Sequence, residues 1–302
     1  MFSLPHINKD FPVVLWFSGG ATSAVACKVS IDLFGKENCI LLFIDTKNEG
    51  PDTYRFLKDC EEWYGMRAGI LSAIGEDKEY NKIQDVWRKY KSLNVAKGAI
   101  CSTELKRAVR EKWQKENDFS YQIFGFDTAE PNRAKAMTLN HPDSKPMYPL
   151  LFLGYSKPKC IEILKENAID IPLAYKLGFE NNNCLETGCV QGGIGYWQKM
   201  QRDFPAKFKA MAREEHYLTH LKGEQVTMLK DQSNKTKALV KETGDKTLAR
   251  VFLLPHPKYP NNKDLSMMEG REPKPLADCN GFCGINDLQP RSTTEEEINY
   301  AP

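Results

Sequence analysis

Ser18-Gly19-Gly20-Ala21-Thr22-Ser23 follows directly on the apolar run Val13-Val14-Leu15-Trp16-Phe17. Two glycines let a backbone come close to a phosphate, and the hydroxyls of Ser18, Thr22 and Ser23 offer further donors around it. If a strand ends at Phe17 and a helix starts past Gly20, the first N–H groups of that helix point at the same anion. The segment is not a Walker A loop, because no Gly-Lys-Ser/Thr follows, and it lacks the G-x-G-x-x-G spacing of a dinucleotide site. A plain turn is the competing reading. Five of the nine cysteines, Cys101, Cys184, Cys189, Cys279 and Cys283, lie in turn-like sequence. Residues 1–9 carry no basic region followed by an apolar stretch, so a cytoplasmic protein with thiols or metal ligands is expected, not a disulfide framework. Cys27, Cys39, Cys60 and Cys160 lie inside apolar or helical patterns and read as buried small hydrophobes. Of the five histidines only His216 and His220 share a helical face, and without an H-E-x-x-H pattern they read as a surface feature.

The elements that must position these groups alternate in the first half. After the first strand, Ala24, Cys27, Ile31 and Phe34 fall on one helical face that stops at Gly35. Residues 39–44 form a continuous apolar run of the kind buried in a parallel sheet. A helix opened by Pro51 is expected over 51–64, another over about 80–92, a third over 103–115, and a strand over 121–126. Strand, helix, strand, helix implies a doubly wound parallel α/β sheet over residues 1–155. Residues 156–290 read as a mostly helical, cysteine-containing cap, with helices at 158–168 and 196–222 and a short strand at 226–230, followed by a flexible acidic tail at 291–302. Trp197, Phe204 and Phe208 fall on one stripe and read as core. The two cap helices serve equally as a substrate cover or as the interface of a homodimer.

The loop resembles the pyrophosphate loop, S-G-G-x-D-S, of the PP-loop ATPases in the adenine nucleotide alpha-hydrolase superfamily, with Thr22 where that group usually has Asp. Asp45, after the second strand, matches the acidic residue such proteins carry near the nucleotide. "AICSTELKRAV", residues 99–109, is similar to the C-(S/T)-x-x-L-K segment of the PAPS reductase-like branch, which carries over Cys101 and Lys106. Lys106 is a point charge suited to phosphate or sulfate, and Arg107 adds a fork for a bidentate contact; a solvated helix face is the bland alternative. Glu130 and Arg133 in "GFDTAEPNR" match a G-x-x-x-x-E-x-x-R element of that branch, or else form a surface pair one turn apart. "GFENNNCLETGCVQGGIGYWQKMQRDFPAKF", residues 178–208, resembles a block of uncharacterised members of the branch, and "DCNGFCG", residues 278–284, a short Cys-rich end.

This resemblance, over about residues 12–285, implies ATP with Mg bound at Ser18, Gly19, Gly20, Thr22 and Ser23, with Asp45, Arg107 and Glu130 around the nucleotide and Cys101, Lys106 and Arg133 in catalysis. The implied reaction is adenylation of an acceptor with pyrophosphate release, followed by sulfur transfer, with a nucleic acid as the candidate acceptor. Cys184, Cys189, Cys279 and Cys283 form two turn-borne pairs that suit one metal site, either Zn or an iron-sulfur cluster. Cys101 reads as a nucleophile, a spare ligand or a buried thiol. Three alternatives stand beside this: a thiol-dependent PAPS/APS reductase using Cys283, a non-catalytic adenine-nucleotide-binding module, and a partner protein in a fixed complex. Composition is neutral between them. The 302 residues carry 27% charged and 41% hydrophobic residues at net charge +2, and no stretch approaches the roughly 18 apolar residues of a membrane span.

Overall fold

The computed structural model describes residues 10–93, 98–182, 184–274 and 276. Five parallel strands form one sheet in the order β3-β2-β1-β4-β5: β1 Val13–Phe17, β2 Cys39–Ile44, β3 Gly69–Leu71, β4 Tyr121–Ile123 and β5 Pro146–Met147. β1 is central, its Val13 to Phe17 in register with Cys39 to Phe43 of β2, and its other edge pairs with β4. The winding reverses between β1 and β4, so the ends of these strands frame the crevice where a doubly wound sheet takes its ligand.

Both faces are covered, which is why β1 is apolar at every position. Leu15 and Phe17 face α1 (Ala21–Phe34) and α2 (Pro51–Tyr64), and Val14 and Trp16 face residues of the Ile100–Glu116 helix and the Pro131–Asn140 helix. Lys157–Glu166 lies past the boundary expected at 155, yet its Cys160 and Leu164 pack in the same cluster as α1. Cys27, Cys39, Cys60 and Cys160 are all buried, and burial pushes the last three thiols up to about 12. That is the behaviour of packing residues, not of nucleophiles.

Some local expectations shift. The 103–115 helix is one run from Ile100 to Glu116, interrupted by a π-helical turn at Thr103–Arg107. The 196–222 helix is two, α3 (Ile194–Asp203) and α4 (Pro205–Lys222), because the proline ring forces Phe204 out of helical backbone, at φ −134° and ψ 58°. The cap is mostly helical but also holds a small sheet, β6 (Leu229–Lys230), β7 (Arg250–Phe252) and β8 (Lys263–Asp264).

α4 is pinned to that small sheet by a buried carboxylate. Glu215 accepts the Met228 N–H at 3.1 Å on one oxygen and the Leu253 N–H at 2.7 Å on the other. Burial pushes its carboxyl up to about 8 against the pull of those two N–H groups. A folded value raised above the ordinary 4.5 means that native stability is fullest below that value and is lost as pH rises toward about 8. Glu215→Gln is expected to cost about 1–3 kcal/mol at pH 5, from one mismatched hydrogen bond, and to remove this pH dependence. Denaturant unfolding at pH 5 and pH 8.5 checks it; equal slopes for wild type and variant would count against the assignment. His216, expected at the surface with His220, instead sets its ring edge-to-face with that of His256, centroids 4.5 Å apart, and places Nε2 3.1 Å from the Leu254 carbonyl.

Candidate active site

The loop after β1 is braced from within. Ser23 Oγ accepts from the Ser18 N–H at 3.0 Å and from Ser18 Oγ at 2.9 Å, and donates to the Gly20 carbonyl at 2.9 Å. That hydroxyl shapes the loop from inside. Gly19 stands at φ +84°, and a Cβ there would come within 2.8 Å of Thr53 Cγ2, so glycine is required on both counts. Gly20 caps α1 through its backbone alone. The first helical N–H, from Ala21, donates to the Tyr175 hydroxyl at 3.2 Å. Asn182 reaches the loop from the cap, donating to the Gly19 carbonyl at 2.8 Å and to Thr53 Oγ1 at 3.1 Å. Thr22 is buried under these contacts.

At the end of β2 the buried Asp45 accepts the Tyr54 hydroxyl at 2.9 Å and the Lys47 N–H at 2.7 Å, and pairs with Lys47 Nζ at 2.8 Å. Burial, together with the hydrogen bond to Asp45 and the charges of Asp45, Glu49 and Cys184, pushes the Tyr54 hydroxyl well up, so it stays a donor. Next to it, Glu49 accepts from Thr46 Oγ1 at 3.0 Å and faces Lys106 Nζ at 3.4 Å. Lys106 is 6% exposed and lies in the π-helical turn, where the extra residue shifts the side-chain register of the helix. The alternative of a solvated helix face does not hold for Lys106, whose ammonium is buried. Arg107, one residue on, is half-buried.

At the end of β4, Gly125 touches the loop: a Cβ there would lie 2.6 Å from Ser23 N and Cα. Asp127 accepts the Ala129 N–H at 2.9 Å and the Lys157 N–H at 2.8 Å, fixing the turn that carries Glu130 and Arg133. Arg133 bonds to Glu130 and lies 4.6 Å over the Phe126 ring, so the pair is a packed element beside the crevice. Its neighbour Phe124 carries a second guanidinium, that of Arg110, at 5.8 Å. Burial lowers Arg110 to about 9.

A model of the phosphoadenosine phosphosulfate reductase domain matches residues 12–176 of this chain. The chain belongs to that family. The phosphoadenylyl-sulfate reductase of Candida auris, solved as a phosphate complex, shares 17% identity over 57% of this chain and 81% of its own, with a TM-score of 0.43. The U34-tRNA thiolase NcsA of Methanococcus maripaludis, solved with its [4Fe-4S] cluster, shares 15% over 71% of this chain and 74% of its own, with a TM-score of 0.41. No curated protein matches the chain. The phosphoadenosine phosphosulfate reductase match takes in the loop, Asp45, Lys106 and Arg133, and stops short of the cysteine turn.

Cys184 and Cys189 lie in that turn, both nearly buried and both close enough to Tyr196 for their charges to raise its hydroxyl after burial has done so. The Cys189 N–H donates to the same hydroxyl at 3.0 Å. Their expected partners, Cys279 and Cys283, lie outside the described residues. Among the described residues no group of three or more His, Cys, Asp or Glu side chains is arranged to hold a metal ion. Cys101 is 9% exposed and shares an apolar cluster with Cys189, Tyr196 and Trp197. Sequence reasoning passed over Asn182, Tyr175, Asp127 and Arg110. Only Asn182 left a signal, an asparagine run beside a cysteine turn.

Proposed function

We propose that this family member binds ATP, entering as its magnesium complex, at the Ser18–Ser23 loop and adenylates an acceptor as the first step of sulfur transfer. An acceptor oxygen attacks the α-phosphorus, the bond to the bridging α–β oxygen breaks, and pyrophosphate leaves. A sulfur donor then displaces AMP. The observation that supports this is the shape of the loop: a φ +84° glycine and an α1 N-terminus whose N-cap, Gly20, has no side chain, at the point where the sheet reverses. Lys106 supplies positive charge beside the same strand ends, and Arg107 and Arg133 extend it. Thr22 leaves the loop without the acidic side chain usual there, so Asp45 and Glu49, which follow β2, are the carboxylates proposed to serve it.

Cys184 and Cys189 suit two positions of a four-thiolate site, since both are nearly buried around one tyrosine hydroxyl. Zinc there would act as a staple, and an iron-sulfur cluster would supply a route for sulfur. A reductase of adenylylated sulfate is the second reading, favoured by the family match. One experiment separates them. Protein purified without oxygen is given MgATP and pooled nucleic acid, or adenylyl sulfate and a thiol. Pyrophosphate and AMP from the first mixture support adenylation; sulfite from the second, with no pyrophosphate, supports the reductase; ATP binding with neither product leaves a binding module. Metal content in the same preparation is expected to vanish in a Cys184→Ala, Cys189→Ala double variant.

A further inference from the structure

A cavity of about 520 Å³ opens between the start of α3, β6 and the strap at 271–274, and none of its lining residues belongs to the Ser18–Ser23 loop. Lys230, Arg271 and Lys274 line it, with Gln191 and Gln232 beside them and Glu272 as the one carboxylate among the described lining residues. All three cations are exposed, and among the described residues none is in an ion pair. The wall between them is glycine. Gly193 is the N-cap of α3, with no side-chain cap, and a Cβ there would meet nothing within 4 Å. Gly195 lets the strap lie against the helix, since a Cβ would come within 2.2 Å of the Glu272 carbonyl and 2.6 Å of that of Arg271. Gln198 clips the strap in place, donating to the Glu269 carbonyl at 3.1 Å and accepting the Arg271 N–H at 3.1 Å.

We infer that this cavity is a second phosphate-binding site, apart from the nucleotide loop, taking either a phosphate of a nucleic-acid strand or a free phosphate. Three cations against one carboxylate, with two carboxamides and glycines in the same lining, favour an anion, and the volume suits a phosphate with part of its attached group. The site adjoins the cysteine turn directly, because the Gly192 N–H donates to the Cys189 carbonyl at 2.8 Å. A phosphate held there brings its bearer next to Cys189. Binding does not depend on which reaction the first site runs.

The backbone of Gly193, at φ −80° and ψ −173°, is open to any residue. Gly193→Asp therefore puts a carboxylate in the cavity while supplying a favoured N-cap, so the variant is expected to unfold with the wild type. Gly193→Ser caps without charge. A fluorescein-labelled single-stranded oligonucleotide is titrated by anisotropy, and inorganic phosphate is titrated by calorimetry, both on the full chain. Gly193→Asp is expected to weaken the probe that binds about tenfold or more, Gly193→Ser to leave it unchanged, and Arg271→Gln to lower the salt slope of oligonucleotide binding by about one. Oligonucleotide binding with these responses assigns the site to a strand; phosphate binding alone assigns it to a free anion. Failure of both probes, or binding by Gly193→Asp equal to wild type, overturns the inference. An ATP analogue titrated into Gly193→Asp is expected to bind as in wild type, which keeps failure here distinct from failure at the loop.

Discussion

Lys106→Ala is expected to lower adenylation turnover by about 10²–10³-fold, the scale seen when one preorganised charge or donor is taken from a developing anion. The argument rests on where the ammonium is held. It is buried and lies 3.4 Å from Glu49, longer than a tight hydrogen bond. A buried ammonium at this point acts on a developing anion through its charge, at short range and out of water. The same substitution also strands the buried carboxylate of Glu49, and breaking a buried pair from one side costs about 3–5 kcal/mol. Loss of activity alone would therefore not distinguish chemistry from packing. The double variant Lys106→Met, Glu49→Gln removes both charges and is expected to recover most of the thermal stability and none of the turnover. Pyrophosphate release and unfolding temperature, measured on both variants, check this. Recovery of turnover in the double variant would reduce Lys106 to a structural partner of Glu49.

The first half of the chain was legible because parallel strands buried on both faces must be continuous apolar runs. β1, β2 and α2 have the bounds that Val13–Phe17, Cys39–Ile44 and the Pro51 start imply. β3 and β5 carry no such signal: Gly69-Ile70-Leu71 is largely exposed at one sheet edge, and Pro146-Met147 is two residues at the other. The π-helical turn was invisible for a different reason. Thr103 to Arg107 has ordinary helical composition, and only the burial of Leu105 in the cluster of Trp87 and Trp197, with Lys106 facing Glu49 after β2, shows that the register shifts there. For Arg133 the sequence left a surface pair with Glu130 open beside a role in the site, because one helix shows nothing of its neighbours; the ring of Phe126 beneath it, like that of Phe124 beneath Arg110, belongs to a buried setting. Asn182 is separated from Gly19 by more than half the chain, and that hydrogen bond is set by tertiary contact alone. Loop chemistry could be read locally, whereas the clamp over the loop required the fold.

Gly125→Ala is expected to lower the affinity for an ATP analogue by about tenfold or more and to destabilise the protein by about 1–3 kcal/mol, the usual cost of an extra methyl in a filled site. The sign is informative, because Gly→Ala where the backbone is unstrained normally stabilises by about 0.4–1 kcal/mol through the unfolded chain. What opposes it here is contact with main chain. The new Cβ would lie 2.6 Å from Ser23 N and Cα and 2.9 Å from the Thr22 carbonyl carbon. No rotamer change relieves such a contact, so either β4 or the first turn of α1 must move. Moving that turn turns away the N–H groups proposed to hold the phosphates and disturbs the Ser23 hydroxyl that braces Ser18 and Gly20. Gly195→Ala provides the comparison: its Cβ meets the carbonyls of Arg271 and Glu272 in the cap, so it is expected to cost similar stability with no direct effect on the loop. Calorimetric titration of the analogue and thermal unfolding on both variants separate the two effects. If Gly125→Ala binds the analogue as wild type does while its stability falls, the nucleotide is held elsewhere, and the strand-to-helix turn after β1 is only a turn.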